Sequence, residues 1–171
     1  MDKKKQRGQK RRLKAMLRDI DLFVPFTHMD RVYEHFHVPG GLFRSVFIGS
    51  DQTSGKIQTE FSRKWLETTE RFISQKPIDI PFCKIVALIS VPDFEGSQII
   101  IFYDEKYYHS FWNRTGPEQF WDLTIHKYSF CKQRNIQTSL KEGCWHERMI
   151  DEEDGEEFHS DLWFFGDLPA V

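Results

Sequence analysis

The stretch from Cys83 to Asp104, CKIVALISVPDFEGSQIIIFYD, decides the fold of this protein. It contains two runs rich in β-branched residues, joined by DFEG, in which Gly96 favours a turn. The stretch therefore predicts a hairpin that pairs Lys84–Val91 with Gln98–Tyr103. Neither run alternates between apolar and polar residues, so we expect both strands in the centre of a sheet that is covered on both faces.

Other segments extend this hairpin into a larger sheet. Residues Tyr33–Val38 predict a short strand that is stopped by Pro39. Near the other end of the sequence, CWHERMI and FHSDLWFFG predict two strands on either side of an acidic turn, DEEDGEE. All these strands together predict an antiparallel sheet of four to five strands.

Helical periodicity predicts what covers the sheet. A helix is expected from Lys10 to just before Pro25, and a second long helix at Lys56–Gln75. Shorter helices are expected at Glu105–Trp112 and near His126–Arg134. The first helix has one apolar stripe with i, i+3, i+4, i+7 spacing: Leu13, Met16, Leu17 and Ile20. The fold class is therefore α+β, an antiparallel sheet packed with two long helices and one or two short ones.

Length and composition indicate one compact domain. The chain has 171 residues, including sixteen Phe, which is enough to build a single core. We expect residues 1–9 to be a flexible basic N-terminus and residues 10–171 to form the domain. No apolar run approaches the roughly 20 residues that span a bilayer, and no apolar segment of a cleaved secretory signal follows the basic start. The three cysteines, Cys83, Cys131 and Cys144, form no C-x-x-C pair, so free thiols and a cytoplasmic location are expected.

The N-terminal segment is strongly basic, although the net charge of the chain is only −2. Nine Lys or Arg and no acid lie between Lys3 and Arg18. Three interpretations remain open: a helix docked by its apolar stripe with its charges in water, a nucleic-acid footprint, or a membrane-surface helix. Docking is favoured. The nucleic-acid alternative assigns four residues to phosphate contacts: Lys10, Arg11, Lys14 and Arg18.

The C-terminal segment is strongly acidic. Ten Asp or Glu and one Arg lie between Glu142 and Asp167. This segment is either an acidic hairpin turn in water or a partner-binding surface whose carboxylates mimic phosphates. The candidate partner-binding residues are Trp145, Asp151, Glu152, Glu153, Asp154, Glu156 and Glu157. An EF-hand register fails, because Gly155 at loop position 6 places Ile150 where a carboxylate is required, and no metal is predicted.

The stretch EHFHVP, Glu34–Pro39, holds the candidate catalytic residues His35 and His37. On a strand these positions face the same side, and imidazole titrates near neutrality and binds metals. The favoured alternative is structural: one ring half-buried and held by a backbone carbonyl, with no cleft in front of it. The sequence lacks the P-loop, dinucleotide-binding, H-E-x-x-H and G-x-S-x-G signatures. It therefore predicts no cofactor, and it favours a non-enzymatic role without excluding catalysis.

Several quoted segments together resemble a known family. KKKQRGQKRRLKAMLRDID, HFHVP, ERFISQKP, KIVALISVPDFEGSQIIIFYDEKYYHSFWNR and LWFFGDLP resemble, in order and spacing, an uncharacterised family from Bacillus and related Firmicutes that is known only as a domain of unknown function. The resemblance covers nearly the whole chain. It implies no activity that can be assigned to particular residues.

These observations lead to one functional hypothesis and two alternatives. The hypothesis is a small cytoplasmic protein-binding module, most concretely an immunity-type inhibitor of a toxin. It rests on the missing catalytic signatures, the acidic C-terminal surface with aromatic residues, and the single domain. The first alternative is a phosphoesterase or nuclease that uses His35 and His37. The second is a non-catalytic nucleic-acid-binding accessory protein that uses the basic helix.

Overall fold

Five antiparallel strands form one sheet in the computed structural model, which describes residues 3–38, 55–91, 96–115, 129–150, 153 and 155–169. The order of the strands across the sheet is β1-β3-β2-β5-β4, and every neighbouring pair is antiparallel. The strands are β1 Tyr33–His37, β2 Lys84–Val91, β3 Gln98–Phe102, β4 Lys141–Ile150 and β5 Glu157–Gly166. The predicted α+β class is confirmed.

The central hairpin has the predicted partners. Strand β2 pairs with β3, with Val86 opposite Ile100, and on its other side β2 pairs with β5. Its buried side chains alternate between two hydrophobic clusters, with Ile85 and Ala87 on one face of the sheet and Val86 on the other. Because both faces are covered, both sets of positions must be apolar, which confirms the prediction of central strands.

The two long helices cover one face, called here the two-helix face. Helix α1 (Lys3–Leu22) begins seven residues before the predicted start, and α2 (Gly55–Ser74) is within one residue of its predicted bounds. The flexibility of residues 1–9 stays a prediction. The apolar stripe of α1 packs into the core as predicted: Leu13, Met16 and Ile20 are buried, and Leu17 is partly buried against them.

Helix α3 (Glu105–Thr115) covers the opposite face, called here the α3 face. It begins where predicted, because Asp104 Oδ1 accepts a hydrogen bond from Tyr107 N at 2.6 Å and caps the first turn. A short helix, α4 (Phe130–Arg134), packs on the two-helix face. It accounts for the end of the helix predicted near His126–Arg134, whose first residues lie outside the described part of the chain.

The segment after β5 anchors the start of β2. Gly166 has φ +111°, and a Cβ placed there would lie 2.5 Å from the carbonyl oxygen of Ile85, so a larger residue cannot fit without a shift. The carboxylate of Asp167 accepts hydrogen bonds from Ile85 N at 2.8 Å and from Lys76 Nζ. Tyr108 of α3 donates to the Asp167 carbonyl oxygen at 2.7 Å. The closing motif LWFFGDLP therefore stabilises the sheet.

Candidate binding groove and the histidine pair

A cavity of about 810 Å³ lies beside β1, which is an edge strand in the described sheet. Its walls are the last residue of α1, the connection between α1 and β1, and the first three residues of β1. We call it the β1 groove and define it by residues 22–24, 27–28 and 31–35. A volume of this size lies in the range that ligand pockets and protein-binding clefts occupy.

Exposed hydrophobic side chains are concentrated at this groove. In the part of the chain that the structure describes, five large hydrophobic residues are exposed, and four of them lie in one short segment before β1. We call these four the apolar cluster: Leu22 (69% exposed), Val24 (64%), Met29 (45%) and Val32 (45%). All except Met29 line the β1 groove. Single exposed hydrophobic residues are normal, but a cluster rimmed by polar groups is typical of an interaction surface.

Sequence reasoning missed the apolar cluster. Its members lie in or beside the Pro25-containing segment between α1 and β1, and they fit neither the helical stripe nor a strand alternation. Apolar residues without a period in a connecting segment were the available signal. This signal alone predicts no interaction surface, because a connecting segment has no periodicity that distinguishes buried from exposed positions.

The carboxylate of Glu34 fixes the shape of the groove. Glu34 is only 6% exposed, and its carboxylate accepts hydrogen bonds from two backbone N–H groups, those of Phe26 and His28, the second at 3.1 Å. It also accepts from the hydroxyls of Tyr103 at 2.6 Å and Thr27 at 3.3 Å. Burial, and then Glu34, raise the pKa of Tyr103, so its hydroxyl stays a donor. The connection before β1 is thereby held against the sheet in one conformation.

The main chain of β1 bonds to β3 through alternate residues. The carbonyl oxygen of Val32 accepts from Tyr103 N at 2.9 Å, and Val38 N donates to the carbonyl oxygen of Ser97 at 3.1 Å. In an antiparallel ladder, alternate residues bond to the same neighbour. The even-numbered residues of β1 therefore face β3, and the main-chain groups of the intervening residues face the outer edge: Tyr33, His35 and His37.

The two histidines share one face of β1, as predicted. Their ring centroids are 5.4 Å apart, and both side chains are exposed. The His35 ring stacks on Tyr33 at 5.6 Å, and Tyr33 stacks on Tyr107 of α3 at 5.0 Å with the rings 3° from parallel. His35 lines the β1 groove. Partial burial, and then His37, lower the pKa of His35, which is therefore mostly neutral at pH 7.

Both rings are exposed and His35 lines the β1 groove, which differs from the prediction of one ring held by a backbone carbonyl with no cleft in front of it. The α3 face is covered as far as Tyr33 by Tyr107, but His35 and His37 lie further along β1 and are exposed. Within the described ranges, neither imidazole has a hydrogen-bond partner. The pair therefore has the accessibility that a catalytic site needs, but it lacks there the oriented partner that positions a general base.

The four basic residues that the nucleic-acid alternative assigns to phosphate contacts are on the outside of α1. Lys10, Arg11, Lys14 and Arg18 are all exposed. Lys10 and Lys14, with Lys56 of α2, line a separate cavity of about 480 Å³. The structure does not bring these residues to the β1 groove, so a nucleic-acid surface and the histidine pair would be separate sites.

The acidic turn joins β4 and β5, at the opposite side of the sheet from β1. Glu153, Glu156 and Glu157 are exposed, and three of the predicted partner-binding residues lie outside the described residues: Asp151, Glu152 and Asp154. Trp145 is partly buried and packs against the cluster on the α3 face. The acidic turn and the apolar cluster are therefore separate surfaces.

The three cysteines are unpaired, and Cys131 and Cys144 are buried. Burial raises the pKa of Cys83 to about 11 and that of Cys131 to about 12, which keeps both as unreactive thiols at neutral pH.

Among the described residues, no group of three or more His, Cys, Asp or Glu is arranged to hold a metal ion. In the same ranges, no helix combines the length and hydrophobicity that crossing a membrane requires.

Comparison with known proteins yields a family but no characterised relative. No curated protein and no solved structure matches the chain. The family model described as "Protein of unknown function (DUF3916)" matches residues 15–167, which include all five strands, α2–α4 and the C-terminal part of α1. The chain therefore belongs to the DUF3916 family, a family of proteins of unknown function.

Proposed function

We propose that this protein is a protein-binding module that holds its partner in the β1 groove. The observation that carries the proposal is the apolar cluster, which exposes four large hydrophobic side chains within eleven residues, three of which line a cavity. Covering them removes apolar surface from water, which is the main driving force of protein association. The groove is held in shape by Glu34, so little conformational entropy is lost on binding.

The most concrete form of the proposal is an immunity-type inhibitor that binds a toxin in the cytoplasm of a Firmicute. Free thiols in the described residues support a reducing compartment. The exposed carboxylates of Glu153, Glu156 and Glu157 support a second contact, because an acidic surface can occupy the cationic active site of a nuclease. The apolar cluster would then supply affinity, and the acidic turn would supply association rate and specificity.

Site-specific photo-crosslinking in the native host tests the proposal. A photoreactive amino acid is placed at Val32 in the groove, at Glu156 in the acidic turn, or at Ile78, which is 97% exposed and lies outside the apolar cluster. We expect one defined partner to be captured from Val32 and not from Ile78. Capture from Glu156 alone would transfer the binding surface to the acidic turn and overturn the assignment to the groove.

Affinity measurements on the purified complex complete the test. We expect Val32→Glu to weaken binding by roughly 30-fold, because a central interface residue contributes about 2 kcal/mol. The matched control, Ile78→Glu, should leave affinity unchanged. For the inhibitor form, the captured partner should be toxic when it is expressed alone. Co-expression of the wild-type protein should suppress this toxicity, and co-expression of Val32→Glu should not.

The exposed histidine pair favours a second candidate function, a phosphoesterase or nuclease that uses His35 and His37. RNA, single-stranded DNA and a generic phosphodiester are the substrates to assay, with and without divalent metal. Hydrolysis that disappears in both His35→Ala and His37→Ala, with unchanged melting curves, would favour the enzyme over the binding module.

Salt-dependent binding of nucleic acid without hydrolysis, lost on changing Lys10 and Lys14 to Ala, would favour the accessory-protein alternative.

A further inference from the structure

We propose that His35 and His37 form a two-histidine chelating site for a divalent transition-metal ion, of the class of Cu²⁺, Ni²⁺ or Zn²⁺. The site lies on the outward part of β1, where the strand leaves the cover of α3. It does not depend on the proposed protein partner, because it uses only side chains of this chain.

The separation of the two rings fits a shared metal ion. A metal bound to imidazole lies about 2.0–2.1 Å from the nitrogen, and the ring centre lies about 1.1 Å further, so the metal is about 3.2 Å from each ring centre. With a tetrahedral angle between the two ligands, the ring centres are then roughly 5.2 Å apart. The observed distance between the His35 and His37 centroids is 5.4 Å. Side-chain rotation is therefore sufficient, and the backbone of β1 does not have to move.

Both imidazoles are available for coordination. Neither has a hydrogen-bond partner among the described residues, so metal binding breaks no hydrogen bond there, and both rings are exposed. The stack of His35 on Tyr33, and of Tyr33 on Tyr107, restricts the His35 ring. A ligand that is already restricted loses less conformational entropy when it binds.

The coordination number indicates an exchangeable site. Residues in the described ranges supply no third His, Cys, Asp or Glu in a position to join the pair. The remaining positions would be taken by water, as in sites that keep open coordination positions, rather than by the four protein ligands of a structural zinc site. Imidazole ligands favour copper, nickel and zinc over magnesium and calcium, which take oxygen ligands. The expected affinity order is Cu²⁺ above Ni²⁺ and Zn²⁺, as the Irving–Williams series requires.

The test uses the full-length protein without an affinity tag, titrated calorimetrically with Cu²⁺, Ni²⁺, Zn²⁺ and Mg²⁺. We expect one Cu²⁺ per chain and no binding of Mg²⁺. His35→Ala and His37→Ala should each weaken Cu²⁺ binding by roughly tenfold or more, because the second ligand binds intramolecularly at a high effective concentration that either substitution removes. The electron paramagnetic resonance spectrum of the Cu²⁺ complex should show two coordinated imidazole nitrogens, and one in each variant.

Two other histidines are matched controls. His28 lines the same groove and is exposed, and His109 is exposed on α3, where it lies 3.9 Å from Glu105. Replacing either with Ala should leave the affinity and the spectrum unchanged. Wild-type protein that binds no Cu²⁺ above the level of the His35→Ala/His37→Ala double variant would overturn the proposal. An equal loss of affinity in His28→Ala would also overturn it, because the metal would then depend on a different set of ligands.

Discussion

Replacing Glu34 with glutamine should destabilise the protein, because the buried carboxylate accepts four hydrogen bonds and donates none. Each carboxylate oxygen accepts from one backbone N–H group, that of Phe26 or that of His28. In either orientation, the glutamine amide places an NH₂ group against one of these donors. The hydroxyls of Tyr103 and Thr27 can rotate to accept a hydrogen bond, but a backbone N–H group cannot.

The expected loss is about 2–4 kcal/mol of unfolding free energy. A hydrogen bond to a charged group contributes about 1.5–3 kcal/mol, and leaving a buried donor without an acceptor adds to that loss. For a chain of this size, each kcal/mol shifts the melting temperature by about 2–4 °C. The melting temperature should therefore fall by roughly 5–15 °C.

Urea unfolding followed by circular dichroism measures the effect. The matched control is Glu67→Gln, since Glu67 is an exposed residue of α2, and it should change stability by less than about 0.5 kcal/mol. Tyr103→Phe, which removes one of the four donors, should have an intermediate effect. A Glu34→Gln variant as stable as the Glu67→Gln control would refute the conclusion that Glu34 holds the groove in shape.

Three further predictions concern the core, the sheet anchor and the thiols. Met16→Ala should lower the free energy of unfolding in urea by about 2–5 kcal/mol, because Met16 is 0% exposed. The control Lys14→Ala, on the outer side of α1, should lower it little. Equal losses in the two variants would mean that α1 is not docked by its apolar stripe. Gly166→Ala should lower the free energy of unfolding by at least about 1–3 kcal/mol, because of the positive φ and the nearby carbonyl oxygen of Ile85. The control Gly55→Ala should be neutral or stabilising, because no atom lies near a new Cβ there. A Gly166→Ala protein with wild-type stability would contradict this packing. Because the pKa of Cys83 is raised to about 11, this thiol should react with iodoacetamide at pH 8 roughly a hundredfold more slowly than an exposed thiol. Mass spectrometry should detect labelling of the two buried cysteines only in denaturant.

Most of the fold could be predicted from the sequence, because the pattern of neighbouring residues indicates which side chains of a helix or strand are buried. Strands β2 and β3, which are covered on both faces, have unbroken apolar runs, and α1 has an apolar stripe. Asp104 has the side chain of an N-cap and lies one residue before its helix. Each of these signals depends on neighbours within a few residues. The bounds were less accurate at the start of α1, where a run of basic residues continues the helix without apolar positions to mark it.

The candidate site was harder to predict because it depends on distant residues. The exposure of His35 and His37 is decided by how far α3 extends over the sheet, and Glu34 is bonded to Tyr103, 69 residues away. Spacing alone could place the two histidines on the same side of a strand, which is confirmed. It could not show whether that side is covered.

The position of β5 in the sheet has a consequence for synthesis of the chain. Strand β5 lies between β2 and β4, yet β2 ends at Val91 and β5 begins only at Glu157. At the usual rate of about 5–20 residues per second, one edge of the apolar strand β2 waits roughly 3–13 s on the ribosome for its partner. An unpaired apolar edge is a template for aggregation. During that interval, the nascent chain is at risk of aggregation through this edge unless a chaperone covers it.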